Sequence, residues 1–383
     1  MLAAPWASTF LADYGAEVIK VEHPQNGDHA RKYGAQKDGK GVFWKTLNRN
    51  KKGITLNLKT AEGKKIFLQL LKDTDVLVEN FRPGTLDKWG LDWPTLLEAN
   101  PKLILLRTSG FGQEGPYAKR GGFGTVAEAM SGFTSVNGEK SGRPTLPGMA
   151  LADGVSSIFG ALSIMIALYA QIKNGVEEGQ QIDINLYEPL MRLLEPQITA
   201  YDQLGKIPEP IGNSSLQTAP RNAYLTADKT WVALSGSTQS ITKNIFRAIG
   251  REDLITDPKF STNEQRLKNV KELDEIIGNW IKQYTYKEVV DIFSKAGAVV
   301  GPMYNIAQLF EDPHYQYRQS FIPIEDKDFG VMRVPNVFAK FSKTPGTIRH
   351  LAPEKGQHTE EILKEKIQLT DEQIQELKNL GII

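Results

Sequence analysis

The sequence predicts an α/β protein with a mostly parallel sheet, followed by a smaller α+β domain. Short apolar strands alternate with an amphipathic helix in the first part of the chain, which is the pattern of βαβ units. A segment rich in Pro, Asn and Ser at 206–222 then marks a linker or a binding loop. With 383 residues, of which 40% are hydrophobic, the chain is long enough for two domains.

The first half of the chain contains five predicted strands and one clear crossover helix. The helix TAEGKKIFLQLLKD covers 60–73 and separates two of the strands. Strands linked by such crossovers run parallel and are covered on both faces. The strands are AEVIKVE (16–22), GITLNL (53–58), DVLVENF (75–81), KLILLRTSGFG (102–112) and QQIDINL (180–186).

A long apolar helix is predicted to begin at Asp153 and to end at Asn174, because Asn174-Gly175 is a good C-terminal stop. Gly154–Ile172 carries no charge and approaches the length of a membrane span. Its serines and glycines favour a buried core helix instead. A further helix is predicted at 187–205, with Pro196 as a point where it could kink.

The second half of the chain predicts the smaller α+β domain and then a return to the larger one. TWVALSG (230–236) and AVVGPMYN (298–305) are strand-like and enclose three helical segments at 239–250, 264–283 and 286–296. Strands are predicted again within 331–342, and the chain ends in two capped helices at 356–366 and 370–381.

Composition excludes several classes of chemistry. The chain has no cysteine, so it has no disulfide, thiolate metal site or cysteine nucleophile, and this suits a reducing compartment. The five histidines show no metal-ligand spacing, so we expect no metal. A net charge of +1 gives no general attraction for nucleic acid. No signal peptide or membrane anchor is recognisable, so we expect a cytoplasmic protein without nucleic-acid or membrane partners.

The loop GFGQEG (110–115) matches the G-x-G-x-x-G pattern of dinucleotide sites, but Pro116 follows at once and no helix begins there. We therefore interpret it as a backbone-exposing loop at the carboxyl end of a parallel strand, where α/β proteins bind ligands. Several cations stand near these strand ends and could together hold a ligand with several phosphates. They are Arg31, Lys51, Lys52, Lys59, Arg82, Lys88 and Arg120.

Asp153 is a lone carboxylate at the head of an otherwise uncharged apolar stretch, and two roles remain open for it. Asp is among the best helix N-caps, and Ser156 stands three positions further on. The same place would keep the carboxylate ionised in a dry site, where it could attack an activated acyl group. We expect the neighbouring acids Glu128, Glu139 and Asp183 at the surface or at element ends.

Six segments of the chain together resemble the class III CoA-transferases, and the likeness covers nearly the whole chain. Within that family, the order of segments is most similar to enzymes that exchange CoA between small dicarboxylic acids. The segments are DYGAEVIKVEHPQNGDHAR (13–31), NRNKKGITLNLKTAEGKK (48–65), DVLVENFRPGTLDKWGL (75–91), GFGQEGPYAKRGGF (110–123), ALADGVSSIFGALSIMIALY (150–169) and KGQHTEEILKE (355–365).

The resemblance implies a Rossmann-like large domain made of 1–205 and 320–383, a small domain at 206–319, and an interlocked homodimer of two ring-shaped chains. It implies that Asp153 is the catalytic aspartate. It also implies a set of residues that bind CoA, among them Arg31 in the "GD..R" motif. These are Arg31, Leu56, Lys59, Asn80, Phe81, Lys88 and Arg120.

The chain differs from the family or from one of its branches at four points. His23 stands where the family usually has an arginine that contacts CoA, and the strand that commonly precedes LAAPWA is not part of this sequence. The glycine-rich loop of the formyl-CoA enzymes is not recognisable between 206 and 224, which disfavours oxalate and formate. Phe123 replaces the histidine base of the related acyl-CoA racemases, which disfavours racemisation.

The implied function is transfer of CoA from an acyl-CoA such as succinyl-CoA to a small carboxylic acid, through an aspartyl anhydride and an aspartyl-CoA thioester. No cofactor is consumed. The alternatives are an acyl-CoA racemase or isomerase and a non-catalytic CoA-binding homologue. A glycine segment is expected to serve as a mobile lid or as a source of oxyanion donors, and it comprises Gly121, Gly122, Phe123 and Gly124.

Overall fold

The computed structural model describes all residues from 1 to 383, and the chain forms two compact units. The larger unit contains 1–134, 146–207 and 317–383, and the smaller unit contains 135–145 and 208–316. The larger unit is therefore built from both ends of the chain. The segment 135–145 differs from our expectation, because it belongs to the smaller unit although it was assigned to the larger domain.

Twelve strands are present, and their order follows the chain. They are β1 (Val18–Glu22), β2 (Gln36–Lys37), β3 (Lys40–Gly41), β4 (Lys51–Thr55), β5 (Val76–Glu79), β6 (Ile104–Ser109), β7 (Gln180–Asn185), β8 (Arg221–Leu225), β9 (Trp231–Ser235), β10 (Val300–Pro302), β11 (Phe321–Asp326) and β12 (Gly330–Pro335).

Eighteen α-helices and two short 3₁₀ helices, His29–Lys32 and Glu252–Ile255, complete the fold. The α-helices are α1 (Ala3–Asp13), α2 (Val42–Leu47), α3 (Ala61–Leu71), α4 (Thr85–Lys88), α5 (Trp93–Ala99), α6 (Gly124–Met130), α7 (Phe133–Val136), α8 (Leu151–Asn174), α9 (Glu188–Arg192), α10 (Glu195–Leu204), α11 (Gln239–Ala248), α12 (Asn263–Lys268), α13 (Val270–Ile281), α14 (Tyr286–Lys295), α15 (Ile306–Glu311), α16 (Pro313–Tyr317), α17 (Thr359–Ile367) and α18 (Asp371–Asn379).

The five strands predicted for the larger unit are all present and all pair in parallel. They form two sheets rather than one, since β1 pairs only with β4 while β5, β6 and β7 form a separate ladder. Helix α1, which was not among the predicted elements, contacts β1, β5 and β6 and so packs on strands of both sheets. The α/β class is confirmed, and the expectation of one continuous sheet was wrong.

Helix α8 organises the larger unit around the site. It packs on α1, α6, α9, β6 and β7 through a face of small side chains. A β-carbon on Gly160 would lie 3.1 Å from Leu106 Cδ2, so glycine permits the close approach of helix and strand. Gly175 ends the helix in the left-handed conformation, with φ +66°, which confirms the predicted stop.

The expectation that α8 is buried holds for one face only. Its opposite face exposes six large apolar side chains, each more than half accessible: Ile158, Leu162, Met165, Ile166, Tyr169 and Ile172. By length and composition the helix could also cross a membrane, although a third of its apolar window is buried inside the protein. The helix predicted at 187–205 is two helices, because the chain breaks at Leu193 and Leu194 and restarts with Pro196 in the first turn of α10.

The smaller unit is an α+β structure. Its antiparallel sheet has the order β10-β9-β8, and α11, α13 and α14 cover it through one apolar core that includes Val232, Phe246, Ile277 and Phe293. One apolar core of the larger unit joins α3, α5 and β6 to the C-terminal helices α17 and α18, and α17 also contacts β4.

Candidate active site

Asp153 is the third residue of α8, and its side chain is half-buried. The interpretation of Asp153 as the N-cap was wrong: the capping position is Ala150, which has no side-chain hydrogen bond to the helix. The carboxylate is instead close to α1, where the backbone N–H of Ala3 acts to lower its pKa. The Ser157 hydroxyl donates to the carbonyl of the same Ala3 at 2.9 Å, so α1 and α8 are joined beside the carboxylate.

Burial raises the pKa of the Asp153 carboxyl above its usual value. The positive amino group of Met1 and the Ala3 N–H oppose this shift, and the negative charge of Glu128 adds to it. The sequence predicted that the helix N-terminus would stabilise the ionised carboxylate, whereas burial acts in the opposite direction and has the largest effect on its pKa. A carboxylate with a raised pKa is a stronger base, and so a better nucleophile, whenever it is ionised.

Glu128 on α6 supplies the cap that Asp153 does not. Its Oε1 accepts hydrogen bonds from the Leu151 N–H at 3.0 Å and the Ala152 N–H at 3.2 Å, the first two amides of α8. Glu128 is only 3% exposed, which corrects the expectation of a surface position. No local sequence pattern predicts this contact, since Glu128 and the amides of α8 are more than twenty positions apart.

Two glycine segments meet close to Gly124, the residue that faces Asp153. A β-carbon on Gly110 would lie 2.7 Å from the Cα of Gly122, so the two backbones touch where only glycine fits. Gly124 faces the Asp153 side chain, and a β-carbon there would lie 2.5 Å from Asp153 Oδ2. Phe123, between them, is 69% exposed. Of the predicted glycine segment, the structure thus places Gly124 against Asp153.

The loop 110–115 is held by Asp183 on β7, whose Oδ2 accepts the Gln113 N–H at 2.8 Å. No helix follows β6 until α6 begins at Gly124, so the region lacks the geometry of a dinucleotide site, as the sequence predicted. A cavity of about 400 Å³ lies among this loop and the one after β5. Its lining is Pro83, Gly84, Gln113, Glu114, Gly115, Pro116, Ala118 and Lys119.

The predicted CoA contacts follow the carboxyl ends of β4 and β5. The side chain of Leu56 is buried in the core, whereas Lys59, three residues further on, is exposed. Phe81 is 43% exposed and packs edge-on against Trp89, with ring centroids 5.1 Å apart. Asn80 is half-buried, and Lys88 is an exposed cation at the end of α4. None of these side chains lines the cavity described above.

Two of the predicted CoA contacts already have protein partners. The Arg31 guanidinium forms a two-pronged ion pair with Glu22, at 2.7 Å for each contact, and lies 4.2 Å above the Trp44 ring. Arg120 is exposed, and its guanidinium lies 3.8 Å above the Tyr117 ring. Arg120 therefore keeps its charge open to a ligand, while that of Arg31 is largely compensated by Glu22.

The chain belongs to CoA-transferase family III, whose family model matches residues 1–359. It is 38% identical to the succinyl-CoA–D-citramalate CoA-transferase of Chloroflexus aurantiacus, over 100% of this chain and 95% of that protein. It is 32% identical to the succinate–glutarate CoA-transferase of Agrobacterium fabrum, over 95% and 92% of the two chains. A CaiB/BaiF family protein from Brucella suis has a similar structure, with a TM-score of 0.83, 30% identity and coverage of 95% and 96%.

Proposed function

We propose that the protein transfers CoA from succinyl-CoA to a small carboxylic acid, with Asp153 as the nucleophile. The observation that carries this proposal is the position of Asp153: a half-buried carboxylate in the first turn of α8, faced by a glycine that leaves its oxygen uncovered. Succinyl-CoA as donor is supported by the names of the relatives, one acting on citramalate and one on glutarate.

The reaction needs only carboxylate and thiolate chemistry. The Asp153 carboxylate attacks the thioester carbonyl, the C–S bond breaks, and a mixed anhydride and CoA thiolate form. The thiolate then attacks the aspartyl carbonyl of the anhydride, which releases succinate and leaves an aspartyl-CoA thioester. The acceptor carboxylate attacks this thioester to give a second anhydride, and the thiolate finally takes the acceptor acyl group and frees Asp153. Atoms and charge balance, and no cofactor is consumed.

The surroundings of Asp153 suit these steps. The Ala3 N–H stabilises the carboxylate between turnovers, and its raised pKa increases its reactivity toward a carbonyl. An anhydride must be kept from water, and the touching glycine segments around Gly110 and Gly122 are suited to cover it while offering N–H donors to a developing oxyanion. We propose that residues 121–124 act as this cover.

CoA carries phosphates, which require cationic side chains that are not already paired with a protein carboxylate. We propose that the exposed Lys59, Lys88 and Arg120 serve the phosphates, and that Asn80 and Phe81 contact the nucleotide beyond β5. Leu56 would contribute only its backbone, since its side chain is in the core. Arg31 would hold the segment after β1 in place through its ion pair with Glu22. It would bind CoA directly only if CoA displaced Glu22 from the guanidinium.

The exposed apolar face of α8 supports a homodimer. Six large side chains along one helix would remain in water in a single chain, and such a face normally marks an interface. We propose that a second copy of this chain covers it, as the family resemblance implies. The proposed compartment is the cytoplasm.

Asp153→Asn tests the proposed function. We expect the variant to lose transfer of CoA from succinyl-CoA to a panel of small acids, while its CoA binding stays within about twofold of the wild type. Transfer is measured as the formation of new thioesters, by mass spectrometry. Hydroxylamine should convert the wild-type intermediate to a hydroxamate at Asp153. Retained transfer in the variant would refute the assignment, and deuterium exchange at the α-carbon without an acceptor acid would favour the isomerase alternative.

A further inference from the structure

Glu128 is a buried carboxylate for which the transfer steps have no use. It lies on α6 four residues after Gly124, so both residues face the same way from that helix. A β-carbon on Gly124 would lie 2.5 Å from Asp153 Oδ2 and 3.9 Å from Glu128 Oε1. One face of α6 therefore meets the N-terminus of α8, and it brings the two carboxylates to the same place.

The first amides of a helix need an acceptor, and an acidic side chain in the first turn often provides it. In α8 that acidic side chain is Asp153, yet the Leu151 and Ala152 amides donate to Glu128 Oε1 instead. The Asp153 carboxylate interacts instead with the backbone N–H of Ala3 on α1, which acts to lower its pKa. With its own helix already capped, the Asp153 side chain is not drawn back onto the backbone of α8.

We propose that Glu128 is a positioning residue, which caps α8 in place of Asp153 and so leaves the Asp153 carboxylate available to the acyl group. This inference rests on the proposed role of Asp153 as nucleophile. Without Glu128, the two amides would lose a buried acceptor, and the nearest replacement would be Asp153 itself. The nucleophile would then be bonded to its own helix and turned from the thioester.

The electrostatic environment of Asp153 gives a second consequence. The charged groups that face it are the Met1 amino group beside α1 and Glu128 on α6, and α8 adds no charge of its own in this turn. Glu128 raises the pKa of Asp153. Since Asp153 must be ionised to attack, activity falls as the pH drops through that pKa, and removing the Glu128 charge should move this acid limb to lower pH.

The test compares Glu128→Leu with Glu128→Gln in the full chain. Leucine removes the acceptor, and we expect kcat to fall about 10- to 100-fold, with less hydroxamate formed at Asp153 and CoA binding within about twofold of the wild type. Glutamine keeps an amide oxygen for both N–H groups, so it should retain kcat within about fivefold and shift the acid limb of kcat/KM to lower pH.

Thr285→Val is the matched control, because it removes a helix cap from α14 in the smaller unit. We expect it to lower thermal stability and leave kcat unchanged. Full activity in Glu128→Leu, or a loss of kcat in Glu128→Gln as large as that in Glu128→Leu, would overturn the proposal. Asp153→Asn, assayed beside them, separates the two hypotheses: an inactive Asp153 variant with an active Glu128→Leu variant refutes only the role of Glu128.

Discussion

Asp153 Oδ2 lies 2.5 Å from the point that a β-carbon on Gly124 would occupy. Real side chains essentially never approach this closely, so an alanine at 124 must displace either the carboxylate or the start of α6. Glycine is therefore required at 124 by the position of the Asp153 side chain and not by the backbone conformation, since the φ of Gly124 is not in the left-handed range. It also gives the first prediction.

Gly124→Ala should lower kcat for CoA transfer about 10- to 100-fold, because a shift of about 1 Å at a reacting group costs rate on this scale. The measurement is steady-state kinetics with succinyl-CoA. Gly148→Ala is the matched control, because a β-carbon there would meet no atom within 4 Å and its φ is not in the left-handed range. Equal activity of the two variants would show that residue 124 does not constrain Asp153.

The exposed face of α8 gives the second prediction. Ile166 is 61% exposed in the middle of this face, and Ile166→Glu would place a charge in the proposed interface between copies. We expect the variant to shift from dimer to monomer in light scattering coupled to size-exclusion chromatography. Leu380→Glu is the control, since Leu380 is 65% exposed on a different helix end. A wild-type protein that is already monomeric would contradict the proposed homodimer.

Much of the larger unit could be predicted because its signals are local. The apolar runs of β1, β4, β5, β6 and β7 and the Asn174-Gly175 stop are each contained in a few residues. Asp153 was identified in the same way, as a lone acid in an apolar stretch. The interpretation failed where a distant residue decides the outcome. The cap of α8 comes from Glu128, not from the residues beside Asp153.

The assignment of 135–145 failed for the same physical reason. This segment joins the smaller unit, where the Gly212 N–H donates to the Gly138 carbonyl at 2.9 Å across more than seventy positions. The division of the parallel strands into two sheets is likewise a matter of hydrogen-bond pairing between strands. Periodicity predicts that a strand exists but does not specify its neighbour.

The β11–β12 hairpin gives the third prediction, which concerns stability against pH. Hydrogen bonds from Lys40 and Lys45 lower the pKa of Asp328 from 3.8 to about 2. A carboxyl whose pKa is lower in the folded than in the unfolded protein stabilises the fold at pH values above its unfolded pKa. This contribution is lost as the pH falls from 3.8 towards 2. We expect the urea concentration at the unfolding midpoint, measured by tryptophan fluorescence, to decrease as the pH is lowered through this range.

Asp328→Asn should lower the free energy of unfolding by about 1–2 kcal/mol at neutral pH and flatten that acid dependence, because an amide keeps one acceptor but no charge. Lys45 still retains Asp326 at 2.9 Å, which limits the loss. Asp253→Asn is the comparison, since Asp253 is an exposed acid paired with Arg251 on the surface. An equal effect of the two substitutions would argue against a special role for Asp328.

The pair between Glu79 and Arg107 gives the last prediction, which concerns CoA affinity. Glu79 ends β5, and its Oε1 accepts from Arg107 Nε at 2.9 Å while its Oε2 accepts from the Phe81 N–H at 2.6 Å. Both side chains of the pair are less than a tenth exposed. The carboxylate therefore fixes the segment Asn80–Phe81, which is predicted to contact the nucleotide of CoA.

Arg107 and Phe81 donate to different oxygens of Glu79, and Glu79→Gln replaces one of these oxygens with an NH₂ group, so one of the two donors loses its acceptor. We expect the dissociation constant of CoA, measured by calorimetry, to rise about fivefold, which corresponds to about 1 kcal/mol. Glu98→Gln, at an exposed position of α5, should leave it unchanged. Phe81→Ala should weaken CoA binding as well. If Phe81→Ala weakens binding and Glu79→Gln does not, the segment keeps its shape without the carboxylate, and the role given to Glu79 is wrong.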